Sequence, residues 1–235
     1  MEYSGYIQKS QHGGITLYQA DCMKMLPQIP DKYYQLCICD PPYGIGNTTT
    51  SAGNKLRSTK HKRVTWNKEI PSAEYFEQLY RVSENQIIWG CNYFYPFIKV
   101  SGRIVHYKKP FQDLSKKKIR FCPCDLASQS FDKRIEFFEY NWYGNTQGGK
   151  PNFNNTGPDA RIHPTQKPVR LYEWLLQNYA KPGDTILDTH GGSGSILIAC
   201  DILGFSIDWY EIDVDYFQAA KERLERYQRQ EVLPL

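Results

Sequence analysis

Asp40 begins the tetrapeptide Asp-Pro-Pro-Tyr, which directly follows the apolar run Tyr34–Cys39. The run is rich in strand-favouring residues, and the prolines end it because proline has no amide hydrogen to donate to a sheet. Asp40 is therefore predicted at the carboxyl end of a buried strand, the edge where open α/β sheets bind their ligands.

The chemistry that this tetrapeptide suits is the activation of an amino group on a planar base. The Asp40 carboxylate and the Pro41 carbonyl oxygen could each accept one amine hydrogen, which would aim the nitrogen lone pair at an electrophile. Tyr43 offers a ring on which a flipped base can stack. The simpler alternative is a strand, a Pro-Pro turn and an aspartate that caps it.

A second group of residues, from Asp188 to Glu211, has the layout of an adenosine-cofactor half-site. A strand ends at Asp188, a glycine turn and an apolar helix follow, and Glu211 closes the next strand, where an acid can bind ribose hydroxyls. The dinucleotide fingerprint lacks its last glycine, since Leu197 stands there, and Asp188 would repel a pyrophosphate. An acid at that point suits an ammonium group, such as the amino-acid end of S-adenosylmethionine. Ordinary strand–helix packing is the alternative.

Alternating apolar patterns predict an α/β protein that positions these two groups. Helices are expected after the N-cap Ser72, after Pro168 at the first helical position, from Ile196 to Leu203, and from Tyr216 to about residue 229. Besides the strands named above, the patterns predict strands at Ile15–Tyr18, Gln86–Gly90, Gly102–Tyr107 and Glu136–Tyr143.

Length and composition indicate one globular domain spanning residues 1–235, with a mean hydropathy of −0.61. No apolar stretch reaches the roughly 20 residues of a membrane helix, and the N-terminus lacks the apolar core of a signal peptide, so we expect a cytoplasmic protein with no membrane partner. The seven cysteines have no metal-ligand spacing beyond Cys122-Pro-Cys124. Reduced structural thiols and no metal are expected.

The net charge of +4 is concentrated in two basic blocks. Six lysines and arginines and no acid lie between Asp40 and Glu69, and eight lie between residues 99 and 120 against the single Asp113. Such blocks indicate a polyanion partner, although solvated loops are the alternative. The residues predicted to bind nucleic acid are Lys55, Arg57, Lys60, Lys62, Arg63, Lys116, Lys117 and Lys118.

Three ordered motifs together resemble the S-adenosylmethionine-dependent DNA amino-methyltransferases, in the permuted class whose catalytic motif precedes its cofactor motif. They are the tetrapeptide at Asp40, the stretch His163-Pro-Thr-Gln-Lys-Pro168, and the glycine turn from Ile186 to Ser195. The resemblance extends from about Ile15 to Tyr227. The chain looks most like the small solitary methyltransferases of phages and prophages.

The resemblance implies a Rossmann-like methyltransferase fold, in which a mostly parallel sheet has helices on both faces and the motif order is circularly permuted. It implies that Asp40, Pro41, Pro42 and Tyr43 are catalytic. The implied cofactor-binding residues are Asp21, Cys22, Asp40, Thr165, Lys167, Asp188, His190, Gly191, Gly192, Ser193, Gly194, Ser195, Glu211 and Ile212. Target-recognition loops are expected at about 44–68 and 108–162.

The implied reaction is methyl transfer to the N6 atom of adenine in flipped double-stranded DNA, because Asp at the first motif position is typical of the adenine enzymes. Cytosine N4 is the nearest alternative. A non-catalytic DNA-binding protein with the same fold and a nicotinamide-dependent oxidoreductase are the alternatives from other classes. A homodimer and a cognate restriction endonuclease are further expected partners.

Two departures from the family pattern bear on cofactor affinity and turnover. Thr189-His190 stands where the family often has Pro-Phe, and His106-Tyr107-Lys108 stands where it often has Trp-Asp-Lys.

Overall fold

The structure is a computed structural model that describes residues 4–46, 68–99, 102–108, 122–142, 146–148, 150–151 and 160–231. Within these residues, nine strands form one sheet in the order β1-β2-β11-β10-β3-β4-β6-β5-β7, and β8 pairs with β9 in a separate hairpin. The strands are β1 Gln8–His12, β2 Ile15–Gln19, β3 Tyr34–Cys39, β4 Ser83–Trp89, β5 Gly102–Tyr107, β6 Cys124–Gln129, β7 Ile135–Glu139, β8 Thr146–Gln147, β9 Lys150–Pro151, β10 Thr185–Asp188 and β11 Ser206–Glu211.

The sheet is mostly parallel. Strands β2, β11, β10, β3 and β4 are consecutive parallel neighbours, whereas β1 and β6 run antiparallel to the strands beside them. Strand β7 is parallel to β5 at the far edge. Strands β3 and β10, which carry Asp40 and Asp188 at their ends, are direct neighbours, so the two groups of candidate site residues meet at one sheet edge.

Helices cover both faces of the sheet. The α-helices are α1 Cys22–Met25, α2 Ala73–Val82, α3 Val169–Tyr179, α4 Ser195–Leu203 and α5 Val214–Glu231. Helices α3, α4 and α5 contribute Leu175, Ile196 and Phe217 to one buried cluster. Helices α1 and α2 contribute Met25 and Phe76 to another on the opposite face. The expected α/β fold with a two-sided sheet is confirmed.

Local sequence explains where the helices begin and end. The side chains of Asp21 and Ser72 accept hydrogen bonds from backbone amides in the first turns of α1 and α2. Gly204 ends α4 in the left-handed conformation, with a φ of 73°. Asp213, rather than Asp215, accepts from the amides at the start of α5.

The structure corrects several predicted boundaries. Pro168 is the N-cap of α3 and not its first helical residue. The strand predicted over Glu136–Tyr143 covers Ile135–Glu139. No helix of the described residues is long and apolar enough to cross a membrane.

Candidate active site

Four neighbouring strands bring polar residues and a turn to the same edge of the sheet. Glu211 and Asp188 are the last residues of β11 and β10, while Asp40 and Gly90 directly follow β3 and β4. Because these strands are parallel neighbours, their carboxyl ends lie side by side. The site is therefore assembled by sheet topology from residues far apart in the chain.

Both carboxylate oxygens of Asp40 have partners within the protein. The hydroxyl of Tyr43 donates to Oδ1, and the Lys167 ammonium forms an ion pair with Oδ2. The Asp40 side chain is 17% exposed and that of Lys167 is 5% exposed. The structure thus places Lys167 beside the candidate catalytic carboxylate, where it can fix the direction of Asp40.

Tyr43 is enclosed by its neighbours. Its ring lies parallel to that of Tyr93, with centroids 4.9 Å apart and an interplanar angle of 11°. The edge of Phe94 approaches it at 6.1 Å. A Cβ atom at Gly90 would overlap the Tyr43 ring, so this close approach requires glycine, which also adopts a φ of 73° there. Burial raises the pKa of Tyr43, and the nearby charge of Asp40 adds to the rise.

Among the residues that the structure describes, the Pro41 carbonyl oxygen is an acceptor without a backbone partner. None of the loop and turn hydrogen bonds among the described residues ends on its oxygen. A second acceptor therefore directly follows Asp40 in the chain, and two acceptors would suit the two hydrogens of an amino group.

A cluster of charges on strands β5 and β6 lies next to Lys167. The Nζ atom of Lys108 donates to Asp125 Oδ1 over 2.8 Å, and His106 Nδ1 lies 3.5 Å from Asp125 Oδ2. Burial opposes ionisation of Asp125, but the nearby His106 ring and the charges of Lys167 and Lys108 hold its pKa below the ordinary value. Burial lowers the pKa of His106. The departure from Trp-Asp-Lys is therefore accompanied by an acid that the adjacent strand supplies.

Asp188 is a buried acid with a single backbone donor. Its Oδ1 atom accepts from the His190 amide over 3.0 Å, and the residue is 3% exposed. Burial raises the pKa of Asp188 to about 8, and the charges of Asp40 and Glu211 add to the rise. A carboxylate in this position would be stabilised by a ligand cation.

Glu211 joins the turn to the start of α5. Its carboxylate accepts from the amides of Gly192 and Asp213, both over 2.8 Å. Burial raises the pKa of Glu211 to about 7. The adjacent Ile212 is 59% exposed, so it borders the site from the solvent side.

The glycine turn packs too tightly for larger residues. A Cβ atom at Gly191 would overlap the Trp209 indole, and Gly194 adopts a φ of 65° directly before α4. The hydroxyls of Ser193 and Ser195 lie 3.1 Å apart and are buried. Ser195 also donates to the backbone carbonyl of Lys167 over 2.8 Å. This bond joins the cofactor turn to the segment that holds Asp40.

An open cavity of about 190 Å³ lies beside this turn. It is lined by residues from α1, the Pro42 segment, the start of α2 and the turn, namely Asp21, Cys22, Met23, Pro42, Glu69, Ile70, Pro71, Ser72, Tyr75 and His190. Asp21, Cys22 and His190, which the family resemblance implies as cofactor-binding residues, therefore line the same cavity. Asp21 caps α1 through its Oδ1 atom, which accepts from the Met23 amide over 2.9 Å.

Thr189 and His190, which differ from the usual Pro-Phe of the family, both contact Tyr75 at the lining of this cavity. The hydroxyls of Thr189 and Tyr75 lie 2.7 Å apart, and the His190 ring contacts Tyr75 edge to face at 5.2 Å. Burial lowers the pKa of His190 to about 4, so its ring is neutral at physiological pH.

The remaining predicted residues are Thr165 and the basic residues of the two blocks. Thr165 is exposed, and its hydroxyl lies 3.1 Å from His163 Nδ1. The predicted nucleic-acid-binding residues Lys55, Arg57, Lys60, Lys62, Arg63, Lys116, Lys117 and Lys118 lie outside the described residues. In the part of the chain that the structure describes, no three His, Cys, Asp or Glu side chains group as metal ligands.

Three side chains at the site did not emerge from the sequence, namely Tyr75, Tyr93 and Asp125. Tyr75 is a helical apolar position, and its spacing predicts only core packing. Asp125 lies opposite His106 in the pairing of β5 with β6, and this pairing cannot be read from the sequence. Tyr93 lies three residues after Gly90, which follows a predicted strand. Its aromatic type and this position are the only features of the sequence that point to a role at the site.

The sequence profile of a DNA methylase family, that of the N6 and N4 amino-methyltransferases, matches residues 103–222, just over half of the chain. The chain belongs to this family. It is therefore an S-adenosylmethionine-dependent DNA methyltransferase that acts on an exocyclic amino group.

Curated relatives and solved structures agree with this assignment. The type II methyltransferase M.HpaI of Haemophilus parainfluenzae is 26% identical over 240 residues, which cover 88% of this chain and 73% of the relative. The type II methyltransferase M2.DpnII of Streptococcus pneumoniae is 25% identical and is matched over 56% of its length.

Two solved methyltransferase structures are similar in fold to this amino-methyltransferase. The M1.HpyAVI–SAM complex superposes with a TM-score of 0.57 at 20% identity, covering 89% of this chain and all of the other. The PvuII cytosine-N4-specific DNA methyltransferase has a TM-score of 0.61 at 13% identity, covering 96% and 94%. The expected Rossmann-like methyltransferase fold is confirmed.

The chemistry of the donor set fits the methyl donor of this DNA methyltransferase. Asp188 is a buried acid whose pKa is raised chiefly by burial, and a ligand ammonium beside it would stabilise its ionised form. The cavity at the glycine turn is lined in part by Tyr75, Ile70 and Pro71, and such apolar and aromatic residues suit an adenine ring.

Proposed function

We propose that this DNA methyltransferase transfers the methyl group to N6 of adenine after flipping the base out of the duplex. The observation that carries the proposal is the position of Asp40, between the acids that end β10 and β11 and the aromatic residues after β4. An amine bound to Asp40 and the Pro41 carbonyl would lie at the sheet edge that also presents Asp188. That arrangement brings the two reacting groups together.

Each residue of the site has a proposed task. Asp188 holds the ammonium group of the methyl donor and Glu211 its ribose hydroxyls, while Asp21 and Cys22 border its adenine. The bound donor supplies a methyl group on a positively charged sulfur. Lys167 fixes the direction of Asp40 through their ion pair. The remaining cofactor-binding assignments are Thr165, His190, Gly191, Gly192, Ser193, Gly194, Ser195 and Ile212.

The carboxylate acts on charge that develops during the reaction. As the amino nitrogen bonds to the methyl carbon and the carbon–sulfur bond breaks, the nitrogen becomes more positive. The Asp40 carboxylate stabilises that charge in a partly buried site until the nitrogen loses one of its hydrogens as a proton. Pro41 accepts the other amine hydrogen and directs the lone pair. The Tyr43 hydroxyl, which occupies Asp40 Oδ1 in the free protein, must release this oxygen when the amine binds.

Methyl transfer from labelled S-adenosylmethionine to unmethylated duplex DNA tests the proposal when the product is digested to nucleosides and identified by mass spectrometry. N6-methyladenine is the expected product. N4-methylcytosine would leave the site geometry intact and correct the target base. A protein that binds DNA and cofactor without forming either product would contradict the proposal.

The variant Asp40→Ala tests the role of the carboxylate in methyl transfer. We expect it to abolish transfer and to leave cofactor affinity within about twofold, because the cofactor acids are on other strands. Full activity of Asp40→Ala would refute the assigned role.

DNA contacts through the two basic blocks are part of the same proposal. The loops at about 44–68 and 108–162 are proposed to recognise the target. Binding through phosphate contacts should weaken steeply as salt rises, which a titration between 50 and 200 mM salt measures. A homodimer and a partner endonuclease are proposals that light scattering and co-purification can test.

A further inference from the structure

Tyr93 covers the surface of Tyr43 on which the target base is proposed to stack. The two rings are parallel, with centroids 4.9 Å apart, which is the contact distance of a stacked aromatic pair. Gly90 packs against the same Tyr43 ring. A base can therefore reach the face of Tyr43 only if Tyr93 moves away from it.

The position of Tyr93 in the chain permits such a movement. Tyr93 is the last residue of a short 3₁₀ helix, Cys91–Tyr93, which begins after Gly90. Its side chain is 41% exposed. Phe94, the next residue, is fully buried and anchors the segment in the core. The Tyr93 ring can therefore swing toward solvent while the backbone on either side stays in place.

We infer that Tyr93 forms the second wall of the base-binding slot, so that the flipped base enters between Tyr43 and Tyr93 and stacks on both rings. This inference rests on the proposed function, because it assumes that the target base binds at Asp40. The Tyr43 hydroxyl reaches Asp40 from the rim of its ring. A base lying between the rings would thus present an edge amino group toward that carboxylate.

The two closed rings also keep the slot filled when no base is present. Opening them costs one aromatic contact, and the entering base replaces it with two. A base–aromatic stack increases binding affinity on the order of 5- to 150-fold. Separating the Tyr43–Tyr93 ring pair decreases that affinity about 2- to 12-fold. The net contribution of Tyr93 is expected to be roughly fivefold.

The test compares the affinity of the protein for two duplexes that differ only at the target nucleotide, which carries either its base or an abasic site. The target position is first mapped without methyl transfer, by selecting bound duplexes from a random pool and footprinting the partner base that flipping leaves unpaired. The proteins compared are the unchanged chain, Tyr93→Ala, Tyr93→Phe and Tyr95→Ala. Tyr95 is a matched control, because it lies two residues away and is 82% exposed.

We expect Tyr93→Ala to weaken binding of the base-containing duplex about fivefold and to leave the abasic duplex unchanged. Tyr93→Phe and Tyr95→Ala should match the unchanged protein on both duplexes. An equal loss on both duplexes would overturn the inference, because it would mean that Tyr93 only supports the fold. An unchanged Tyr93→Ala affinity would overturn it as well.

The ratio of the affinities for the base-containing and abasic duplexes does not depend on methyl transfer. Absence of methyl transfer by the unchanged protein would contradict the proposed function, whereas the ratio for Tyr93→Ala reports only on contact with the base. The two failures are therefore distinguishable.

Discussion

Cofactor affinity should depend on pH because Asp188 must ionise to bind an ammonium group. In the cofactor-free protein, burial raises the pKa of Asp188 to about 8, and the charges of Asp40 and Glu211 reinforce the rise while Lys167 opposes it. Since the carboxyl group is neutral below that value, raising the pH should increase affinity. Cofactor binding should also release a proton.

The size of the effect follows from the ionised fraction of Asp188. About 1% of the carboxyl groups are ionised at pH 6 and about half at pH 8, which gives a roughly 50-fold gain in affinity. The amino group of the ligand has an ordinary pKa near 8, and its partial loss of charge reduces the gain to roughly 25-fold. The neutral ring of His190, with its pKa of about 4, does not titrate in this window.

Isothermal titration calorimetry between pH 6 and pH 8, in buffers of different ionisation enthalpy, measures both the affinity and the protons released. Asp188→Asn is the variant to compare, because it is isosteric and cannot ionise. It should bind weakly and with little pH dependence. Glu211→Gln separates the contribution of Glu211, whose pKa is about 7. Flat affinity across this window, or an Asp188→Asn variant that keeps the full slope, would refute the reasoning.

The same ionisation affects folding in the opposite direction. Because the folded pKa of Asp188 lies above the ordinary value of 3.8, its contribution to stability is greatest below pH 3.8 and is lost as the pH rises toward 8. The cofactor-induced increase in Tm should therefore be larger at pH 8 than at pH 6. Thermal denaturation with and without cofactor measures this difference.

Two substitutions test the packing, one at the site and one at the opposite end of β3. Gly90→Ala places a Cβ atom in the Tyr43 ring and should lower methyl transfer about 100-fold through misplacement of Tyr43, with cofactor affinity unchanged; transfer near the original rate would show that Tyr43 tolerates displacement. Tyr34→Phe removes the hydroxyl that donates to Asp208 Oδ2 over 2.7 Å and should cost about 1–3 kcal/mol of unfolding free energy. A urea titration checks this cost, and an unchanged midpoint would contradict it.

The sequence predicts strand bounds correctly where the residue pattern of the strand and the turn residues at its ends agree. The bounds of Tyr34–Cys39 and Gly102–Tyr107, and the end of β10 at Asp188, are predicted as the structure has them, because glycine, proline or a charged turn flanks each run. Strand β1 was not predicted, because Gln8–His12 is polar and mostly exposed and forms only by pairing with β2.

The candidate site was predictable in its acids and glycines but not in their pairing. The sequence identifies Asp40 and Lys167 through separate motifs, yet their ion pair joins residues 127 positions apart and depends on how α3 enters the fold. The contact between Asp125 and His106 is likewise not predictable from the sequence, because it depends on the register in which β5 pairs with β6. The stack of Tyr93 on Tyr43 depends on the left-handed conformation of Gly90.

The order of strands in the sheet has a consequence for folding during synthesis. Strands β2 and β3 are made early, but their inner neighbours β11 and β10 are made last. The hairpin β1–β2 and the pair β3–β4 can form first, and the β10–α4–β11 unit must then insert between them. Until it does, the growing chain presents two unpaired strand edges, which are prone to misassociation. Asp40 and Asp188 can meet only at this final insertion, so no shorter nascent chain can carry the complete methyl-transfer site.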